Sequence, residues 1–267
     1  QCTSKTSGVV SSEEGNCSFL AGPGFPSDLK RLPRSLIYNA RLEMAMRARQ
    51  AFSTSVGTKL LIALTGLCLV GFLAFHLYGN LLLFFGGTKY NEHAHALISN
   101  PLVIPAELGL IAIFLLHVIK AVLNFFKNRA ARHEGYEVKA WAGDPSRKSW
   151  GSTTMILSGL VIVVFVPLHL VTFKYGPTYA AAEPGVRDLY RLLIEVFQSP
   201  GYTAFYVVAM VIVGLHLRHG VQSSLQSLGL IPAAWTRVFL AVCYVTALVI
   251  GAGFVLVPIY IYLYVRP

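Results

Sequence analysis

The sequence predicts an all-α integral membrane protein, a bundle of five transmembrane helices with its N-terminus on the cytoplasmic side. Three observations carry that prediction. Charged residues make up 13% of the 267-residue chain and hydrophobic ones 55%, against about 25% charged in a soluble domain. Five apolar stretches reach the roughly 20 residues that a helix needs to cross a bilayer. The basic residues gather in alternate loops between those stretches. With a mean hydropathy of +0.59, the net charge of +10 reads as cytoplasmic membrane loops. Lipid is therefore an expected partner and nucleic acid is not.

Residues 1–46 are rich in Ser, Gly, Pro and charge and hold no apolar run of signal-peptide length. A secretory leader is not expected there. The segment reads either as a partner-binding extension or as an overlong start, with the rest of the chain beginning near Met44 or Met46. The membrane domain is expected over 47–267, with spans at about 57–85, 102–126, 152–174, 202–226 and 235–264. Pro167 and Pro258 fall inside spans, where neighbouring helices can satisfy the freed carbonyls. Between the third and fourth spans, Val186, Leu189, Tyr190, Leu193, Ile194 and Phe197 recur at helical spacing, which predicts a short helix lying in the interface. With the N-terminus inside, thirteen Lys and Arg from residue 41 onward fall on the cytoplasmic side and five on the other. That asymmetry sets the orientation.

The four cysteines support neither a metal finger nor a disulfide framework. Cys2 and Cys17 lie in the polar extension, while Cys68 and Cys243 lie in separate apolar runs. They are expected as free cysteines, buried as small hydrophobes.

Histidine is the informative residue. His76, His117, His169 and His216 place one His inside each of the first four spans, and the fifth has none. Ionisable residues inside a bilayer are rare and functional by default. At 1.5 Å per residue, His76 and His169 lie roughly 28 and 26 Å from the inner starts of their spans. His117 and His216 run the other way, roughly 21–22 Å from their outer starts. The four thus sort into an outer pair, His76 with His169, and an inner pair, His117 with His216. Two pairs at two depths are what two stacked bis-imidazole haems require, and filled axial positions suit electron transfer. Gly66 and Gly159 each lie ten residues before their span's His, near the inner level. There a small residue lets a porphyrin approach, or serves helix–helix contact alone. His219 follows His216 by three residues and shares its face; it is an alternative ligand or a propionate contact. His93, His95 and His133 lie outside the spans and read as solvated or interfacial.

The segments FLAFHLYGN (72–80), AELGLIAIFLLHVIKA (106–121), FVPLHLVTF (165–173) and IVGLHLRHGVQSSLQSLG (212–229) carry a resemblance. They resemble the stretches around the haem histidines of the single-chain, five-helix cytochrome b subunit of bacterial succinate dehydrogenases and fumarate reductases. The likeness covers about residues 53–265 and is most specific at HLRHGVQSSLQ. It implies two haems b, with His76 and His169 holding the distal one and His117 and His216 the proximal one. It also implies a membrane quinone as substrate, menaquinone before ubiquinone. Two soluble partners follow from it as well, a flavoprotein carrying FAD and an iron–sulfur subunit on the cytoplasmic face. The chain would then sit in the bacterial cytoplasmic membrane as a non-flavin subunit of succinate:quinone oxidoreductase.

Under that reading Lys120 and Arg218 are candidate propionate partners, or snorkel to the headgroups. Glu107, about five residues into the second span, is the candidate proton-exchanging residue of the quinone site, with Glu92 as its competitor. Position 214, where some members carry a Glu for transmembrane proton return, is Gly here. Two rival readings are another dihaem carrier, such as the six-span ascorbate-reducible cytochromes b, and a proton-coupled transporter. A transporter usually shows internal repeats or paired broken helices, and neither stands out in the sequence.

Overall fold

The structure is a computed structural model that describes residues 54–131 and 150–265. The polar extension expected over 1–46, with Cys2 and Cys17, lies outside the described residues, as does His133. All five expected spans are helices long and apolar enough to cross a membrane, with bounds within four residues of expectation.

The first span, α1 (Ser55–Leu81), starts where the Thr54 side chain accepts from the Gly57 N–H at 3.0 Å, an N-cap that satisfies one orphan donor. It tightens into a 3-10 turn, Leu82–Phe85, and stops at Gly86. With φ at +100°, Gly86 takes a conformation that a Cβ disfavours, and it turns the chain into α2 (Gly87–Ile98). The second span is α3 (Val103–Ala130). The third, α4 (Trp150–His169), contains Pro167 and widens at its end into a π turn, Leu170–Lys174. Then come α5 (Leu189–Gln198), α6 (Pro200–Ser227) with proline at its first turn, and α7 (Thr236–Tyr264). Proline is tolerated at the first turn because its missing N–H would be an orphan there anyway.

Helix α6 is the hub, in contact with α1, α4, α5 and α7, whereas α3 touches α1 and α4 and buries no residue. The core runs through Leu77, Phe165, Tyr206, Val213, Leu217, Ala247 and Phe254. Outward-facing apolar side chains such as Leu64, Leu108, Leu160, Val208 and Val249 cover the spans, as a multi-pass membrane protein requires. Between such helices there is little hydrophobic driving force, so close contact falls to small residues. Helix α7 shows this at Gly251 and Gly253: a Cβ on the first would lie 3.0 Å from the Gly214 Cα of α6, and on the second 2.7 Å from Leu77 of α1.

One end of the bundle, the basic end, carries Lys59, Lys120, Lys127, Arg129, Arg218 and Arg237. At the other, capped end α2 and α5 pack together. Asn91, 5% exposed, ties them: it donates to Asp188 Oδ1 at 2.8 Å and accepts from the Tyr190 N–H at 3.0 Å. Arg187 donates to the carbonyls of Lys174, Gly176 and Pro177 at 2.9–3.2 Å, closing the chain that leaves the π turn. Two features depart from the sequence reading. Helix α2 was not expected, because half of its residues are polar. The helix expected from Val186 onward begins at Leu189, and Leu192, Leu193 and Phe197 are buried in the bundle. Cys243 is buried as expected, but Cys68 is exposed among the described residues.

Burial pushes the Tyr90 phenol, on α2 against Tyr190, up to about 12. The unfolded phenol ionises near 10, so this stabilisation is complete below about pH 10 and is lost as pH rises towards about 12. The melting temperature should therefore fall across that window. Tyr90→Phe should remove that part of the fall; equal pH slopes in the two proteins would contradict it.

Candidate functional site

His76 and His169 face each other between α1 and α4. Their ring centres are 5.8 Å apart and the planes stand at 86°. Each carries a phenylalanine from one turn earlier in its own helix. Phe72 lies 5.5 Å from His76 at 13°, and Phe165 lies 5.6 Å from His169 at 25°. Phe254 of α7 closes one side at 5.7 Å from His76, and Phe173 reaches His169 at 5.4 Å. The Tyr206 hydroxyl stands 3.5 Å from His169 Nδ1. The surroundings of this pair are aromatic.

The second pair is held by polar atoms. His117 Nδ1 lies 3.2 Å from the Ile62 carbonyl and 3.2 Å from Thr65 Oγ1. A carbonyl only accepts, so Nδ1 carries the proton and Nε2 keeps the lone pair that a metal needs. His216 Nδ1 lies 3.0 Å from Ser158 Oγ. Gly66 and Gly159, expected at this level, touch these rings directly. A Cβ on Gly66 would stand 3.1 Å from His117 Cε1, and one on Gly159 would stand 3.4 Å from His216 Cε1.

The two levels are distinct. His76 and His169 lie 21 and 19 residues from the basic-end starts Ser55 and Trp150, about 32 and 29 Å along the helix. His117 and His216 lie 13 and 11 residues from the basic-end termini Ala130 and Ser227, about 20 and 17 Å. The second pair is thus nearer mid-bundle than the basic end, with α3 running four residues beyond its expected bound and α6 one.

A metal between two imidazoles needs their nitrogens about 4 Å apart, two bonds of about 2 Å each. Ring centres at 5.8 Å are compatible with that. Among the described residues no group of three or more His, Cys, Asp or Glu is placed to hold a metal ion. A macrocycle that brings its own four nitrogens asks the chain for two ligands only, and each pair offers two. The residues fit a haem iron.

The remaining candidates separate. Glu107 forms an ion pair with Lys174, which the π turn presents five residues after His169. Glu92 pairs within its own helix with Lys89 at 3.0 Å, both side chains more than half exposed. Glu107 is therefore the carboxylate tied to the helix of a candidate ligand. Lys120 is half-buried, three residues after His117, and shares its face. Arg218 is exposed with its guanidinium 5.6 Å over the Tyr244 ring. His219 is half-buried on the face of His216. His95 is exposed, and His93 packs its Nε2 against Gly79.

Thr65, Ser158, Phe72, Phe165 and Tyr206 were missed by sequence reasoning. A signal for four of them exists: Thr65-Gly66-Leu67 … Val70 … Phe72 … His76 repeats as Ser158-Gly159-Leu160 … Val163 … Phe165 … His169 at identical spacing. The sequence does contain a short internal repeat, twelve residues from hydroxyl to histidine, and its two copies lie within α1 and α4.

Compared with family models, with curated proteins and with solved structures, the chain matches none.

Proposed function

We propose that this chain is the membrane-anchor cytochrome b subunit of a bacterial succinate:quinone oxidoreductase, a succinate dehydrogenase or fumarate reductase. It would relay electrons between an iron–sulfur subunit and membrane quinone, preferably menaquinone, through two haems b. The observation that carries this reading is the sorting of four imidazoles, one per helix, into two pairs at two depths. The residue likeness around those histidines supports it. The basic end faces the cytoplasm in this reading, where the iron–sulfur subunit and the FAD-bearing flavoprotein dock, and the N-terminus lies on that side.

Each haem, when bound, supplies one-electron transfer between ferric and ferrous iron. The chain does the rest. His117 and His216 would hold the inner iron, and His76 and His169 the outer one. Each iron would then take two imidazoles from the chain, an arrangement suited to electron transfer. Phe72, Phe165 and Phe254 keep water from the outer pair. Glu107, opposite Lys174 at the level of the outer pair, exchanges protons with quinone, and Lys120 and His219 lie on the faces where the inner propionates would be met.

A reduced-minus-oxidised spectrum of the purified protein tests the reading. It should show low-spin haem b at about two per chain. A protein without haem would remove the proposal and leave the proton-coupled transporter. Haem without quinone reduction by succinate in the assembled complex would leave another dihaem carrier.

A further inference from the structure

We propose that Thr65 and Ser158 are positioning residues for the inner iron ligands, fixing His117 and His216 as Nε2 ligands and setting the inner haem's potential separately from the outer one. The inference rests on the reading above. Its basis is where each hydroxyl spends its proton. Thr65 Oγ1 donates to the Leu61 carbonyl at 2.6 Å and reaches Ile62 O at 3.2 Å; Ser158 Oγ donates to Met155 O at 3.0 Å. A hydroxyl has one proton and two acceptor lone pairs. With the proton committed to its own helix, each oxygen meets the imidazole as an acceptor, and Nδ1 must carry the hydrogen.

The neighbouring glycine makes the contact possible. Gly66 and Gly159 leave room for the ring beside the hydroxyl, as the 3.1 and 3.4 Å approaches to a Cβ show. The repeat gives the arrangement its reach. The hydroxyl and glycine precede the outer ligand by 11 and 10 residues in both helices, about 15–17 Å, within one helical turn of the roughly 12 Å between the two levels. Each of α1 and α4 therefore bears an outer ligand at one height and an acceptor for the inner ligand at the other. The inner ligands arrive on α3 and α6, the helices packed against α1 and α4 respectively.

The two acceptors are unequal. His117 keeps the Ile62 carbonyl if Thr65 is lost, whereas Ser158 is the one hydrogen-bond partner that the described residues provide for His216 Nδ1. An Nδ1–H···O bond makes an imidazole a stronger donor and favours ferric iron, so its loss raises the reduction potential.

The test is a redox titration with electron paramagnetic resonance on the assembled complex, the inner haem being identified as the one retained in His76→Leu. In Ser158→Ala the inner potential should rise by about tenfold in the reduction equilibrium, about 59 mV for one electron, while the outer stays in place. Thr65→Val should move it less. Ser158→Thr and Thr65→Ser should restore the wild-type value. Loss of the inner haem alone in Ser158→Ala, with both haems kept in Ser158→Thr, also supports the inference. Unchanged potentials in both variants overturn it, as does an equal shift of both haems or a shift that the conservative variants do not rescue. A wild-type protein without haem instead overturns the function proposed above.

Discussion

Replacing His76 by Leu is expected to remove one of two low-spin haem signals and leave the other, halving the haem bound per chain. Leu keeps most of the imidazole's volume, so the aromatic surround of Phe72, Phe165 and Phe254 can stay packed while the ligand nitrogen disappears. His169→Leu should lose the same signal, because those two rings face each other at 5.8 Å. His117→Leu and His216→Leu should each lose the other one, since both rings belong to the level held by Thr65 and Ser158. The four spectra therefore read out the pairing. If His76 and His117 variants lose the same haem, the assignment by depth is wrong. His93→Leu, off both pairs, should keep both signals.

Gly251→Val is expected to destabilise the bundle more than substitution of an outward-facing glycine. The Cβ it adds would stand 3.0 Å from Gly214 Cα and 3.7 Å from Gly214 N. Those are backbone atoms of a helix, which cannot rotate aside as a side chain can, so α6 and α7 must separate along a crossing that buries Met210, Val213, Ala247 and Phe254. Over-packing a well-filled site costs about 1–3 kcal/mol, and the rigid backbone puts this site at or above the upper part of that range. The melting temperature in detergent should drop, with haem released early because α6 carries His216. Gly109→Val is the control: a Cβ there meets nothing within 4 Å, and its melting temperature should stay near that of the wild type. Equal losses in both variants would show that helix propensity, and not the crossing, sets the effect. The same crossing bears on position 214, where a Cβ would meet Gly251 Cα at 3.4 Å.

How much of the site was legible depends on what each residue answers to. The five spans could be read because crossing a bilayer depends on length and apolarity, which are properties of one segment. The level of each histidine could be read because helix rise converts residue number into depth. Helix α2 could not. Its polar run Thr88–His95 has neither span length nor a continuous apolar face, and it is held by Asn91 reaching Asp188 and Tyr190 from 97 and 99 residues away. The choice between Glu107 and Glu92 depended on the π turn after His169, which widens the helix where Lys174 meets Glu107. The repeat around Thr65 and Ser158 was present in the sequence throughout. Its meaning was hidden because a hydroxyl followed by glycine in a membrane helix ordinarily serves close helix contact.

Apolar length and helix rise alone place five span-length helices, with four histidines at two depths along them, because both act on each segment separately. Which rings meet, which nitrogen of His117 takes the hydrogen bonds, and which carboxylate pairs with Lys174 were open until the helices packed. Those depend on the rotation of each helix about its axis and on contacts such as Gly66 with His117 and Gly251 with Gly214. Rotation is set by packing between helices, and the periodicity of a span that is apolar on every face leaves it open.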